Sequence, residues 1–133
     1  MSANLKKLQE FVDKMKSTSS LLEKKEIIET IKDDNFITNA LYYTYNPYLK
    51  YYVTSKTCKK RTDLIDNDLD YPLFTLLDAL IDRDYTGHDA IALVNGFVVK
   101  NIQYRNLIYS IIDRNLEIRA SESVINKVIP GLI

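Results

Sequence analysis

The chain has 133 residues, 46% of them apolar, and its 18 basic and 18 acidic side chains leave no net charge. This length and apolar content suit one domain with a real hydrophobic core and exclude a disordered chain. Three glycines and three prolines are few, which favours helices over a turn-rich β-protein. A single cysteine, Cys58, excludes an internal disulfide and fits a reducing cytosol.

Helical periodicity begins near the start of the sequence. Ser20 followed by Glu23 predicts a capping box, in which each residue satisfies a backbone N–H at the start of a second helix. A third helix is predicted over about 35–45. The first helix is indicated by apolar residues at helical spacing, namely Leu5, Leu8, Val12 and Met15.

The middle of the chain is less regular. Asn46-Pro47 ends the third helix and offers a cap and a first-turn proline for a short helical segment over 48–53. Residues 54–70 show no clear period and are predicted to be irregular. A further helix is predicted to begin at Pro72, because five leucines and isoleucines follow it at helical spacing.

Three more helices complete the prediction. Thr86 with Asp89 has the spacing of a capping box, and Asn101 is expected to cap the next helix. Ser121 is expected to cap a final helix over about 122–128, which a Pro-Gly pair then stops. The predicted fold is all-α: a single compact bundle of about eight short helices, with a helix–turn–helix-like phosphate-binding end.

That phosphate-binding end is the junction of the last two helices. Arg114 and Arg119 flank the turn, and Ser121 as a cap would leave the N–H groups of Glu122 and Ser123 partly free. Free N–H groups at a helix start, together with guanidinium groups, make a phosphate site. The alternative interpretation is a turn that only joins two helices.

The charges are unevenly distributed along the chain. Residues 37–61 carry a net charge of +5, residues 62–96 carry −7 and residues 97–133 carry +2. The overall neutrality argues mildly against nucleic-acid binding, whereas basic segments of this kind favour it. Their other interpretation is a set of solvated faces.

Catalytic motifs are not apparent. The lone histidine, His88, has no nucleophile or zinc-ligand pattern around it, and the three glycines stand apart, so no phosphate-binding glycine loop exists. The aspartates at 63–70 lack the glycine and the terminal glutamate of a calcium loop. We therefore expect no enzymatic activity, no metal and no cofactor.

Six tyrosines lie close together just before the basic residues at 56–61. Aromatic rings among cations can stack on bases, but at helical spacing they more often form core, and we favour the core. The six are Tyr42, Tyr43, Tyr45, Tyr48, Tyr51 and Tyr52.

Residues 116–133 read Leu-Glu-Ile-Arg-Ala-Ser-Glu-Ser-Val-Ile-Asn-Lys-Val-Ile-Pro-Gly-Leu-Ile. With Arg119 set aside, this run resembles the end of the N-terminal DNA-binding domain of T-even-phage-type ATP-dependent DNA ligases. Residues 86–91, Thr-Gly-His-Asp-Ala-Ile, resemble a helix start of the same domain, and residues 46–52 resemble a short segment more loosely. Where this family usually has glycine, the chain has Arg119, which either blocks close backbone approach to a phosphate or adds a contact of its own.

The resemblance implies a DNA-ligase-type DNA-binding domain over residues 1–133, without the adenylation and OB domains. It implies sequence-independent binding of nicked duplex DNA through phosphate and minor-groove contacts, in DNA replication and repair, with catalytic ligase domains in cis or trans. No Asp-Gly pair occurs, so the Lys-x-Asp-Gly motif that carries AMP in ligases is missing. The expected DNA contacts are Lys60, Arg61, Gly87, His88, Arg114, Arg119, Ser121, Ser123, Asn126 and Lys127.

An alternative function belongs to a different class. The chain could be a small helical adaptor that docks a protein partner such as a sliding clamp, with the acidic 63–84 region as its face. The salt dependence of binding distinguishes the two functions, because phosphate binding weakens steeply with ionic strength and apolar docking does not. With no leader or membrane-spanning run in the sequence, we expect a cytoplasmic protein, in a bacterial or phage-infected cell.

Overall fold

The computed structural model of the chain describes residues 2–133 and, over that range, contains eight α-helices, one 3₁₀-helix and no β-strand. The all-α prediction is confirmed. The helices are α1 (Ser2–Lys16), α2 (Leu21–Ile31), α3 (Asn35–Tyr45), α4 (Ser55–Lys60), α5 (Leu73–Ile81), α6 (Gly87–Lys100), α7 (Arg105–Ile112) and α8 (Glu122–Val128), with the 3₁₀-helix at Ile102–Tyr104. None of them combines the length and the apolar character that crossing a membrane requires.

The helices form two compact units. The terminal unit comprises the chain up to Asn46 together with Arg114–Ile133, and the central unit comprises Pro47–Asp113. In the terminal unit, α1 packs against α2 and α3, and α8 packs against α2. The four apolar residues that predicted α1 are all buried, and the interior of this unit includes the fully buried side chains of Leu8, Met15, Ile28, Leu41 and Ile125.

In the central unit, α6 packs against α4, α5 and α7. Gly96 allows the irregular segment before α5 to lie directly on α6, because a Cβ at this position would be 2.1 Å from the carbonyl oxygen of Asp66. The Asp66 N–H in turn donates to the carbonyl of Ala92 at 3.0 Å. Deeply buried leucines and isoleucines of α5 and α7 complete the core of this unit, namely Leu76, Leu77, Leu80, Ile108 and Ile111.

The cap of α2 is confirmed, but the capping box is only half formed. The Ser20 hydroxyl accepts a hydrogen bond from the Glu23 N–H at 3.3 Å. The Glu23 carboxylate does not return to the Ser20 N–H and instead accepts from the hydroxyl of Thr18. The Ser20 N–H donates to the same Thr18 hydroxyl at 3.1 Å, so the threonine takes the place of the glutamate.

The prediction of a helix over 48–53 was wrong. Tyr52 adopts a left-handed conformation with φ of 59°, which interrupts any helix there. The helix in this region is α4, inside the stretch predicted to be irregular. It starts at a capping box formed by the side chains of Thr54 and Thr57, whose signature is a threonine in place of the usual glutamate.

Two further caps differ from the prediction. Thr86 precedes α6, but its side chain makes no capping hydrogen bond. Asn101 ends α6, and α7 begins only at Arg105, after the 3₁₀ turn. The connection from α7 to α8 runs over residues 113–121 and is longer than the tight turn expected from the sequence.

Candidate nucleic-acid interface

The connecting loop, residues 113–121, belongs from Arg114 onward to the terminal unit and has two buried anchors. Leu116 and Ile118 are both 0% exposed, whereas Asn115, Glu117 and Arg119 between and beside them are exposed. Two apolar side chains therefore hold the backbone down, and the alternating polar side chains point to solvent. The result is a fixed loop with a polar outer edge.

The backbone of this loop is unusual because Glu117 and Arg119 have φ angles of 59° and 54°. Residues other than glycine adopt this left-handed region at a cost of about 1–2 kcal/mol each. Position 119, where the resemblance described above implies glycine, is thus one at which glycine would avoid this conformational cost. Arg119 occupies it because the surrounding contacts fix the loop.

Three hydrogen bonds provide that fixation. Lys24 of α2 is 4% exposed, and its ammonium donates to the carbonyls of Ile118 at 2.8 Å and Arg119 at 3.1 Å. The Leu116 N–H donates to the phenol oxygen of Tyr45 at 3.0 Å. Burial raises the pKa of Tyr45, so this phenol stays neutral at physiological pH.

The outer edge of the loop forms a groove with the end of α1. Lys16, Asn115, Glu117 and Arg119 line this groove, whose volume is about 560 Å³. The Lys16 ammonium lies 3.9 Å from the Glu117 carboxylate, and both side chains remain largely exposed. Two cations and one acid therefore share a polar concave surface.

The start of α8 lies directly after this edge. As predicted, Ser121 caps the helix, because its hydroxyl accepts from the Val124 N–H at 3.3 Å. The Ser123 hydroxyl lies 2.8 Å from the Ser121 hydroxyl. Within the described residues, the N–H groups of Ala120, Glu122 and Ser123 have no hydrogen-bond acceptor. Such N–H groups beside a guanidinium and a lysine can bind a phosphate.

Three of the expected contact residues lie outside this groove, and two of them bind the backbone elsewhere in the terminal unit. Arg114 donates to the carbonyl of Asn46 at the end of α3 at 2.7 Å, and its Nε is buried without a hydrogen-bond partner. The Asn126 side-chain oxygen accepts a hydrogen bond from the backbone N–H of Ile133 at 2.9 Å. Lys127 lines a different, shallow depression with side chains of α2.

A second cluster lies at the start of α6 in the central unit. Gly87 is exposed, has a φ of 54° and has open space around it, and Thr86 leaves the first N–H groups of the helix uncapped. The Arg61 guanidinium approaches the His88 ring nitrogen at 3.5 Å. The structure thus brings Arg61, Gly87 and His88 together from positions 27 residues apart.

The charge of Arg61 in this cluster is partly offset. Its guanidinium makes two hydrogen bonds to the Asp63 carboxylate, at 3.1 and 3.0 Å. These bonds lower the pKa of Asp63, so the carboxylate stays ionised at physiological pH. Lys60, the other expected contact from this segment, is exposed on α4.

The tyrosines divide between core and surface. Tyr51 is buried at 2% exposure, as the core interpretation predicts, but Tyr48 is 89% exposed and Tyr52 is 57% exposed. Arg83 lies over the Tyr52 ring, with its guanidinium carbon 4.2 Å from the ring centre. The core interpretation therefore holds for only part of the group.

Sequence reasoning did not identify Lys16 and Lys24. Both lie about 100 residues before the loop that they contact, and each shares its helix with at least one other lysine. A weak signal did exist for Lys24, because it occupies the helical position four residues before the buried Ile28.

Similarity to known proteins is confined to structure. No protein-family model matches the chain, and neither does any curated protein. Among solved structures, one named Pmar-Lig_PreS3 is similar, with a TM-score of 0.68 and 17% sequence identity. The similarity covers 91% of this chain, which spans 29% of the length of that protein. The fold is therefore that of an all-α region within a ligase structure, and the identity is too low to carry function with it.

Proposed function

We propose that residues 1–133 are a DNA-binding domain of the kind found in ATP-dependent DNA ligases. The domain binds nicked duplex DNA without sequence preference, through phosphate and minor-groove contacts, in replication and repair. The observation that carries this proposal is the anchored loop edge, where Arg119 and Lys16 line one groove and the unbonded N–H groups of Ala120, Glu122 and Ser123 follow directly along the chain. The ligase-like fold supports it.

The loop edge suits a phosphate because its donors are fixed in advance. Buried Leu116 and Ile118 and the Lys24 hydrogen bonds hold the backbone, so little ordering is needed on binding. Lys24 itself adds a buried positive charge behind the loop. The carboxylates of Glu117 and Glu122 reduce the positive electrostatic potential at the loop edge. The affinity of this domain alone for DNA should therefore be modest.

The start of α6 offers a second phosphate contact. Gly87 presents no side chain, so a phosphate can reach the uncapped N–H groups of a helix that runs for 14 residues. Arg61 and His88 stand beside it. Backbone N–H groups at both sites would bind a phosphate whatever the neighbouring base, which agrees with a function that must act on any sequence.

Catalysis is assigned to other ligase domains, in cis or in trans. The chain lacks Lys-x-Asp-Gly, and no group of three or more histidine, cysteine or acidic side chains among the described residues could hold a metal ion. Cys58 is a poor nucleophile, because burial raises the pKa of its thiol to about 11.

The adaptor alternative gains no specific support. Three aspartates of the acidic segment have local partners: Asp63 binds Arg61, Asp66 accepts from the Asp68 N–H at 3.0 Å, and Asp70 lies 3.9 Å from Lys100. These contacts offset part of the negative charge on which the adaptor interpretation depends.

Duplex binding is expected to depend on salt with a shallow slope of roughly three to five in log–log units, because few phosphates are neutralised. Fluorescence anisotropy with nicked and intact duplexes of two unrelated sequences, across a range of salt concentrations, measures this slope. We expect equal affinity for both sequences, because phosphate contacts carry no sequence information. An affinity that salt leaves unchanged, or no binding at low salt, contradicts the proposal.

The isolated chain is expected to accept no AMP from ATP, because it lacks the lysine context that forms the covalent adduct. Incubation with labelled ATP and magnesium, followed by a denaturing gel, tests this. The chain should give no labelled band, whereas a full ligase run in parallel should give one. A labelled band from the chain alone would place a nucleotidyl-transfer site within it.

A further inference from the structure

We infer that the central unit carries a docking groove for an acidic peptide segment with apolar side chains. The groove, of about 440 Å³, is lined by the end of α6, the 3₁₀ turn, the start of α7 and the segment after α4. Its volume lies within the range of sites that hold a few side chains or a small ligand. It uses residues that the proposed DNA contacts do not use.

The walls of the groove are aliphatic. Val99 is 48% exposed, Ile102 is 57% exposed and Ile65 is 38% exposed, and all three line it beside the buried Val98. These are three of the eight large apolar side chains that are exposed in the described part of the chain. Scattered exposed apolar residues need no explanation, but their convergence on one concavity indicates a binding surface.

The buried amide in the floor, that of Asn95, is already satisfied. The Asn95 amide nitrogen lies 3.1–3.2 Å from the carbonyls of Cys58, Arg61 and Leu64, and its oxygen accepts from the Tyr109 hydroxyl at 3.1 Å. The floor therefore gains nothing from a polar ligand. An occupant of the floor and walls must be apolar.

The rim of the groove is cationic. Lys59 lies over the Tyr109 ring, with its ammonium 5.2 Å from the ring centre, and Arg105 is exposed at the start of α7. Both line the groove, and no carboxylate does. Charge complementarity therefore selects carboxylates next to the apolar side chains of the partner.

A protein segment fits these features better than DNA does. A phosphate backbone could pair with Lys59 and Arg105, but it would leave the aliphatic walls without a partner. An amphipathic helix with apolar residues on one face and glutamates at its edge satisfies both walls and rim. We expect the segment to come from a partner that acts with the DNA-binding domain.

The test is a titration of the full chain with a fluorescein-labelled 12-residue peptide of leucine and glutamate at amphipathic helical spacing. We expect saturable binding, and we expect the matched peptide with lysine in place of glutamate not to bind. Ile102→Asp should weaken binding by about tenfold or more, while Leu22→Asp, which places the same charge on another exposed apolar residue, should not. Arg105→Glu should weaken it, and Lys56→Glu, on an exposed lysine of α4, should change it much less.

Two further measurements keep the proposal open to refutation. Circular dichroism must show each variant folded, and Ile102 is exposed enough that Ile102→Asp should keep the helices. Nicked duplex should bind the Ile102→Asp variant as tightly as the unchanged chain. The proposed docking function is wrong if the acidic peptide shows no saturable binding, or if Leu22→Asp lowers the peptide affinity as much as Ile102→Asp does. A parallel loss of DNA binding with Ile102→Asp also overturns it, because the groove would then be part of the DNA surface.

Discussion

Arg119→Glu is expected to weaken binding to nicked duplex by about 1–3 kcal/mol. Arg119 is exposed at the loop edge, beside the free N–H groups at 120–123 and across the groove from Lys16. Reversing its charge places a carboxylate next to a phosphate and next to Glu117. The change should leave helicity intact, because the side chain lies at the surface. Anisotropy titration at low salt gives the affinity, and circular dichroism gives the helicity.

The controls use lysines of α1. Lys14 precedes Lys16 by two residues and therefore points about 200° away around the helix. Lys14→Glu should cost almost nothing in affinity, whereas Lys16→Glu should weaken binding measurably. If Arg119→Glu and Lys14→Glu weaken binding equally, attraction is diffuse and the loop is not the contact.

Arg119→Gly separates the backbone from the charge. Glycine relaxes the φ of 54°, so the free energy of unfolding should rise or stay level despite the greater freedom of the unfolded chain. DNA binding should nevertheless weaken, though less than with Arg119→Glu. Unchanged binding would show that the loop N–H groups, and not the guanidinium, make the contact.

Lys24→Met is expected to lower the free energy of unfolding by about 1–3 kcal/mol, because it leaves two carbonyls, at least one of them buried, without their donor. The connecting loop should loosen before the helices unfold. DNA binding should therefore weaken even in variant protein that is still folded. Urea denaturation measures the stability, and hydrogen exchange of the Leu116 amide, which donates to the Tyr45 hydroxyl, reports on the loop.

Lys14→Met is the matched control, since it removes the same charge from an exposed position. Its stability and loop exchange should stay close to those of the unchanged chain. Lys24→Arg keeps a charged donor at the same place and should recover part of the loss. If Lys24→Met is as stable as Lys14→Met and its loop exchanges no faster, Lys24 does not hold the loop.

Local signals in the sequence determined most of the helices. The apolar spacing of α1, α5 and α6 and the serine caps at Ser20 and Ser121 act within one or two turns, so they can be recognised without knowing the fold. The misplaced helix over 48–53 shows the limit of this reasoning. Tyr51 is buried, and Tyr52 is left-handed with its ring against Arg83, so the conformation here depends on tertiary surroundings that local spacing does not reveal.

The candidate interface divides in the same way. The sequence by itself determined the arginines, the capped helix start and the missing adenylation motif, because these depend on residue type and close spacing. Only the tertiary structure decided which cations surround the loop. It brought Lys16 and Lys24 to residues 117–119, turned Arg114 inward to Asn46 and paired Arg61 with Asp63. These choices depend on packing between distant segments, where burial of Leu116 and Ile118 fixes the backbone and so dictates which side chains face solvent.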